Sequence, residues 1–345
     1  MLYLLWSHNC LGLMWWCGFE QKNLTHAPYD WETFERELGL FYDDYSPKPV
    51  LGTISDFAEF IKELEYKKLP ERIVDAVCII NAQNDTWKST YGTFLLAKQA
   101  GLDIEFCYAE DEIPVKRAYI IPSVAHSQLK KHVMDEIMSR VENGAILYIS
   151  MGNGLLSPFN EITGLKSLYR YKPTKPDVVK VCGEEFSFMP EFKVDYAEES
   201  AEILAYDDEN RPVMSKKKYG KGIVYYLGYN IEDMAAAKPG ITGGNGIIPY
   251  YKFYELMKEL KNNKKIVTKD NPFVGITEHI IDEETRLIVA VNCTLKENDV
   301  KFVFDGYRFS KILKNQGARI KETEEGAEIR FLPNSAVVFE IKSIS

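Results

Sequence analysis

The chain has 345 residues, 46% of them hydrophobic and 27% charged, with a formal net charge of −9. That length exceeds one ordinary hydrophobic core and predicts two or three domains. The acidic balance argues against a nucleic-acid surface, which needs clustered Lys and Arg, and the Lys216-Lys217-Lys218 run is too short to supply one.

No apolar run reaches the roughly 20 residues of a membrane span. Met1 to Trp16 lacks the basic leading region and small-residue cleavage site of a signal peptide. The six cysteines, Cys10, Cys17, Cys78, Cys107, Cys182 and Cys293, show no metal-ligand spacing and sit mostly in apolar stretches, where a free thiol behaves as a small hydrophobe. A reducing, cytoplasmic compartment is therefore expected, with neither metal nor cofactor. The Asn-x-Ser/Thr matches at Asn23, Asn84 and Asn292 are of the number that chance provides.

In chain order, Leu11 to Cys17 is a short apolar run without a helical polar face, as in a strand buried on both sides. Trp15 and Trp16 close it, followed by a polar loop containing Glu20 and Gln21. At the carboxyl end of a barrel strand such tryptophans are natural sugar-stacking platforms, although both residues also suit the filling of a barrel. Ile54 to Leu64 carries a helical stripe, Ile54, Phe57, Ala58, Phe60, Ile61 and Leu64, that breaks at Lys67-Lys68-Leu69-Pro70. From Asp75 the pattern changes: strands are predicted at Ala76–Ile80, Ile104–Tyr108, Ala118–Ile121 and Ala145–Ser150, with helices at Trp87–Ala100 and His126–Asn143. Such alternation calls for a parallel sheet covered on both faces.

Further strands are expected within Val179–Lys193, at Ile203–Tyr206 and in a hairpin of Pro212–Met214 with Ile223–Leu227. Ala235–Gly246 reads as a loop and Tyr250–Leu260 as a closing helix. The remainder is all-β: Val274–Ile281, Thr285–Asn292, Val300–Phe304, Ile320–Lys321, Ala327–Phe331 and Ala336–Ile341, separated by acidic turns, which makes a small β-sandwich.

Three places in the middle region invite a chemical reading. Asn153 lies between glycines where an amidotransferase would carry its cysteine nucleophile, and no cysteine is near. His126 and His132 are six apart on a predicted helix, a spacing that does not put two ligands on one face. Asn84–Gly92 is faintly like a flavin phosphate loop, but Asp85 or Thr86 serves equally well as a helix cap.

Trp15-Trp16-Cys17 with Glu20-Gln21, then Ala27-Pro28-Tyr29-Asp30-Trp31, Glu35–Leu40 and Lys48-Pro49, resemble the eighth strand, its loop and the last helix of TIM-barrel glycoside hydrolases. The clan is that of cellulases, β-mannanases and β-galactosidases, families five and forty-two. The middle segment, with Phe159–Gly164 and Tyr219–Gly228, resembles the flavodoxin-like, glutamine-amidotransferase-like domain that mediates trimer formation in the family forty-two enzymes. The closing Leu332–Phe339 stretch resembles their C-terminal domain.

The resemblance implies three parts: residues 1–69 as the last strand and helix of a (β/α)8 barrel, 70–263 as a flavodoxin-like oligomerisation domain, and 264–345 as a β-sandwich. It implies a carbohydrate substrate in the complete enzyme, a homo-oligomer, stacking by Trp16 and secondarily Trp15, and sugar-hydroxyl bonding by Glu20 or Gln21. The family's two catalytic carboxylates would lie upstream of Met1. Glu20 alone cannot replace them, since hydrolysis needs two carboxylates flanking one bond. Asp30, Glu32, Glu35 and Glu37 read as helix-start residues. The competing reading is a non-catalytic oligomerisation or small-molecule- or carbohydrate-binding protein of amidotransferase-like fold. Because an isolated barrel strand would be left without neighbours, residues 1–65 are expected to be the least protected part of the chain in amide hydrogen exchange. Protection there equal to that of the middle segment would refute this.

Overall fold

The computed structural model of the chain describes residues 1–22, 24–28, 30–31, 37–66, 68–80, 86–125, 130–151, 159–243 and 247–344. It opens with two helices, α1 (Leu2–Ser7) and α2 (Pro49–Glu63). Pro49 stands at the start of α2, where its missing N–H would have had no intrahelical partner.

Between these helices the structure departs from the expected buried strand. Leu11 to Cys17 forms no strand, Leu11 and Met14 lie in solvent, and the nearest ladder contacts are single bridges at Phe41, to Phe19 and to Pro47. A strand buried on both faces needs neighbours to take up its N–H and C=O groups. No strand among the described residues pairs with this one.

The middle of the chain builds a seven-stranded sheet from near-continuous apolar runs. Its elements are β1 (Ala76–Ile80), α3 (Thr86–Gln99), β2 (Ile104–Tyr108), β3 (Ala118–Val124), α4 (Lys131–Glu142) and β4 (Ile146–Met151). After α5 (Phe159–Thr163) come β5 (Leu165–Tyr171), β6 (Asp177–Val181), β7 (Glu184–Phe188) and β8 (Lys193–Glu198), then β9 (Glu202–Tyr206), β10 (Pro212–Tyr219) and β11 (Gly222–Leu227). The spatial order is β2-β1-β3-β4-β11-β10-β9. The first five strands are mutually parallel, while β10 and β9 continue antiparallel. One face of the sheet is packed by Cys78, Leu96, Tyr148 and Tyr225, the other by Val77, Ile137, Leu147 and Val224.

The strands β5 with β8 and β6 with β7 form two small antiparallel pairs inserted before β9. They are tied to the turn after β9 by buried charge: the Lys193 ammonium lies 2.5 Å from Asp177 and 2.6 Å from Asp207, and Arg211 reaches Asp207 at 2.8 Å.

Two short helices, α6 (Ile231–Ala236) and α7 (Tyr251–Glu255), and a 3-10 turn at Lys258–Leu260 lead to the final sheet. Its strands are β12 (Val267–Lys269), β13 (Val274–Ile280), β14 (Thr285–Asn292), β15 (Asn298–Phe304), β16 (Tyr307–Thr323) and β17 (Gly326–Ser343). The 18-residue β17 is shared: Gly326–Phe331 pairs with β15, Ser335–Lys342 pairs with β14, and β16 follows it along both halves. Gly317 and Asn334, both at positive φ, stand where the pair passes from one half to the other. A single core holding Phe302 and Ile329 from one half and Ile288, Phe339 and Ile341 from the other gives the sheet a sandwich-like section.

The outer face of β14 and β17, carrying Leu287, Val289, Val291, Ala336 and Val338, is covered by Tyr3, Trp6, Phe57 and Phe60 of α1 and α2. The N-terminal helices therefore pack on the C-terminal sheet, and the weakly held part of residues 1–65 narrows to the exposed stretch between them. The chain then runs alongside β13, bridging Arg72 to His279 with Ile73 N–H donating to the Glu278 carbonyl at 2.8 Å, before entering β1.

Where these parts meet lies a buried charge cluster. Asp103 accepts from Arg72 and from Lys98 at 3.0 Å, with His8 Nε2 at 3.8 Å. Its own amide donates to Asp75 at 2.5 Å, and Asp75 takes Lys265 at 2.8 Å. Lys98 also donates to the Ile276 carbonyl of β13 at 3.1 Å. Burial and the neighbouring Lys98 push His8 down to about 3, and burial pushes His279 down to about 4. Both imidazoles are thus neutral in the fold, while the unfolded chain takes up their protons near pH 6.5. The contribution of the two imidazoles to stability is complete above that pH and falls as the pH drops from about 6.5 towards 3, by an amount on the order of a few kcal/mol for the pair. Denaturant titrations at stepped pH should show this loss, and a His8→Leu/His279→Leu double variant should flatten it.

Candidate functional site

The aromatic and acidic loop named from the sequence folds against residues 37–48. The Trp15 indole N–H donates to the Leu38 carbonyl at 2.8 Å, leaving the ring half-buried. Leu40 and Phe41 amides donate to the Gly18 carbonyl, Glu20 N–H returns to Phe41, and the Phe19 and Phe41 rings stack at 5.1 Å. The Trp16–Cys17 peptide is cis, and Trp16 is 64% exposed. The Trp15 ring is fixed by a polar contact and the Trp16 ring is presented to solvent.

Glu20 is buried, and its oxygens are taken by Lys22 at 2.6 Å and by Lys48. These ammonium groups hold its carboxyl below the ordinary range. Lys48 is itself anchored on the Glu37 carbonyl at 2.7 Å, and both lysines lie over the Tyr42 ring. Glu20 is therefore an ion-paired brace of the loop, and Gln21 is exposed beside it. Glu32 and Glu35 fall outside the described residues.

A second cluster, not anticipated from the sequence, sits in the parallel sheet. Glu232, in the first turn of α6, is fully buried and forms no ion pair among the described residues. Four hydroxyls donate to it: Tyr148 at 2.8 Å and Tyr254 at 3.0 Å to Oε1, Ser150 at 2.6 Å and Ser123 at 2.9 Å to Oε2. Burial pushes its carboxyl up, against the pull of the hydroxyls. The adjacent Asp233 accepts from Ser89 at 2.7 Å and is raised by burial as well.

Ser123, at the end of β3, has φ near +50°, an uncommon conformation for a side-chain-bearing residue. A serine hydroxyl on a carboxylate is the arrangement of a nucleophile with its base. Here Ser123 is 2% exposed and Glu232 is fully buried. The cluster's work is to lock α6 and α7 onto β3 and β4. Gly92 permits it, because a Cβ there would lie 2.0 Å from the Glu232 carbonyl oxygen.

Asn153, His126 and Asn81–Asp85 lie outside the described residues, and His132 is exposed on α4. Among the described residues Asp177, Asp207 and Asp208 could together face a metal ion, but Lys193 already sits on the first two and Arg211 on the second. The internal ammonium supplies the positive charge that a cation would bring.

No protein-family model matches the chain, and no curated protein sequence matches it. Among solved structures, its fold is similar to that of a catalytic mutant of Gan42B, a GH42 β-galactosidase from G. stearothermophilus, at TM-score 0.66 and 13% identity over 97% of this chain and 49% of that one. It is likewise similar to the β-galactosidase of Bacillus circulans sp. alkalophilus, at 0.64 and 12% identity over 99% of this chain and 52% of that one. An exo-β-1,4-mannosidase, Op5Man5 from Opitutaceae bacterium strain TAV5, matches at 0.56 and 18% identity over 70% of this chain and 45% of that one. The fold is thus related to that of glycoside hydrolases, and the chain spans about half the length of the structures it matches.

Replacing Glu232 by Leu strands four hydroxyls and should lower stability by about 2–5 kcal/mol, whereas Glu232→Gln, which keeps shape and polarity, should cost less than half as much. Chemical denaturation of the two variants measures the difference.

Proposed function

We propose that this chain is the C-terminal part of a glycoside hydrolase, β-galactosidase-like or β-mannanase-like, acting on β-linked sugars, with its catalytic carboxylates on a segment upstream of residue 1. The observation that carries the reading is a likeness to glycoside hydrolase structures that runs over nearly all of this chain and about half of theirs. Residues 1–69 then belong with the end of a (β/α)8 barrel, 70–263 form a flavodoxin-like assembly domain that builds a homo-oligomer, and 264–345 form a capping sandwich.

The chemistry of the loop agrees with a division of labour. Retaining hydrolysis needs two carboxylates about 5 Å apart on either side of the scissile bond. In this loop the buried carboxylate, Glu20, is held ionised between Lys22 and Lys48, and so is not poised to donate a proton. The open face of Trp16 remains as a floor on which a sugar ring stacks, with Gln21 beside it to bond hydroxyls. The exposed apolar side chains of Leu11 and Met14 form surface that the rest of such an enzyme covers.

A non-catalytic oligomerisation or small-molecule- or carbohydrate-binding protein of amidotransferase-like fold is the second reading, favoured by the pairing of Glu20 with two lysines. The test is a panel of nitrophenyl β-galactoside, β-mannoside and β-glucoside with this exact chain, with light scattering on the same sample. No turnover and a defined oligomer are expected. Activity restored by co-expression with an upstream polypeptide carrying two catalytic glutamates distinguishes the first reading from the second. Robust turnover by the chain alone, abolished by Glu20→Gln, would overturn both.

A further inference from the structure

The formal charge of −9 is unevenly spread, and two strands carry its extremes. Between Arg308 and Lys321, within β16, stand five cations and no carboxylate. Between Asp195 and Glu209, across β9 and the turns on either side of it, stand seven carboxylates and no cation. Charge segregated in this way sets opposite potentials at two places on one surface.

Both strands are also edges. β16 is paired only by β17, and β9 only by β10, apart from a single bridge between Asp207 and Val179. Each offers a free side to a further strand. The chain neutralises β16 only in part: Lys314 reaches Asp56 at 2.6 Å and Lys321 reaches Glu328 at 3.1 Å. Arg308 and Arg319 are exposed and form no ion pair among the described residues. The register sets them directly opposite Lys342 and Arg330. Like charges so placed destabilise a sheet, and an anion from outside relieves both sites.

On the acidic side, Asp195 and Asp207 are buried against Arg211, whereas Glu198, Glu199, Glu202 and Asp208 are exposed. Lys216 stands 3.9 Å from Glu202 but is drawn to Glu259 at 2.7 Å. The two edges do not meet within one chain. The last sheet joins the parallel sheet beside β1 and β2, through Arg72, Lys98 and Lys265, while β9 lies five strand spacings of about 4.8 Å beyond β1.

We propose that the acidic edge β9 of one copy docks along the basic edge β16 of the next, so that the homo-oligomer is a head-to-tail assembly held by charge. The inference rests on the homo-oligomer of the reading above and names the surface that builds it. A second copy is the occupant because this same chain supplies both the missing anions and an edge strand to carry them. The contact joins two different surfaces, so it closes into a ring only if the rotation between copies allows.

Light scattering over a concentration series tests it. In about 0.1 M salt a defined oligomer is expected, and about 1 M salt, which shortens the screening length from about 10 Å to about 3 Å, should weaken association at least tenfold. Arg308→Glu/Arg319→Glu and Glu199→Lys/Glu202→Lys should each weaken it at least tenfold, with the melting temperature of the unaltered chain. Mixing the two variants should recover association between unlike copies, because the first retains an unaltered β9 and the second an unaltered β16. If a variant misfolds, the salt series on the unaltered chain still decides. A monomer at every concentration would overturn this inference and the homo-oligomer together. An oligomer indifferent to salt and to both variants, or variants that fail to recover on mixing, would overturn this surface alone.

Discussion

A single buried carboxylate, Asp103, joins the parts of this molecule. It stands between β1 and β2 and gathers Arg72 from the chain that skirts β13, Lys98 from α3 and His8 beyond α1; through Asp75 it is linked to Lys265 at the entrance to the last sheet. Burial pushes the Asp103 carboxyl up, but Lys98, Arg72 and Lys265 outweigh it and hold it below its ordinary range. An ion taken from water carries a penalty of several kcal/mol unless its partners are in place. The cluster therefore favours one arrangement of helices and sheets over looser ones, because separating them would strand charge in an apolar interior. Burial also lowers the two lysines facing the same boundary, Lys98 to about 8 and Lys269 to about 7.

The central sheet was the most legible part of the sequence. Ala76–Ile80 and Ile104–Tyr108 were read with the bounds they have, because strands inside a covered parallel sheet are short apolar runs bounded by polar turns. The helix expected over His126–Asn143 is described from Lys131 to Glu142, where Val133, Met134, Ile137, Met138 and Val141 are all buried. Elements whose stability comes from distant partners were harder. The β16 strand runs 17 residues, yet only its Ile320-Lys321 stretch was expected, since most of its side chains face solvent and its backbone is paired by β17. The six residues of α1 have no side-chain cap and acquire their place from the sheet beneath them. Leu11–Cys17 shows the reverse failure. Its composition is that of a buried strand, but composition does not provide neighbours.

The same distinction governs the candidate sites. Trp16 stands out in the sequence because a tryptophan closing a short apolar run is a local signal. Glu232 does not, since its partners Ser150 and Ser123 lie 82 and 109 positions away and no local pattern unites them. The Glu-Asp pair opening a short helix after a strand, Glu232-Asp233, was the one visible clue, and it equally fits an acidic helix start. The fate of the carboxylates also separates burial from availability. Glu20 and Glu232 are the two that draw the eye, one neutralised by lysines and the other enclosed by hydroxyls, and both brace the scaffold.

The shared strand β17 has a bearing on how the protein is made. Both halves of the last sheet need it, and the face that covers Tyr3, Trp6 and Phe60 is partly its own. At ribosomal rates of about 5–20 residues per second, α1 and α2 leave the exit tunnel tens of seconds before β17 does. During that interval their aromatic faces have no native surface to meet, while the parallel sheet encoded between them is already free to fold. Nascent chains stalled short of residue 326 should accordingly be the species that engages chaperones most strongly.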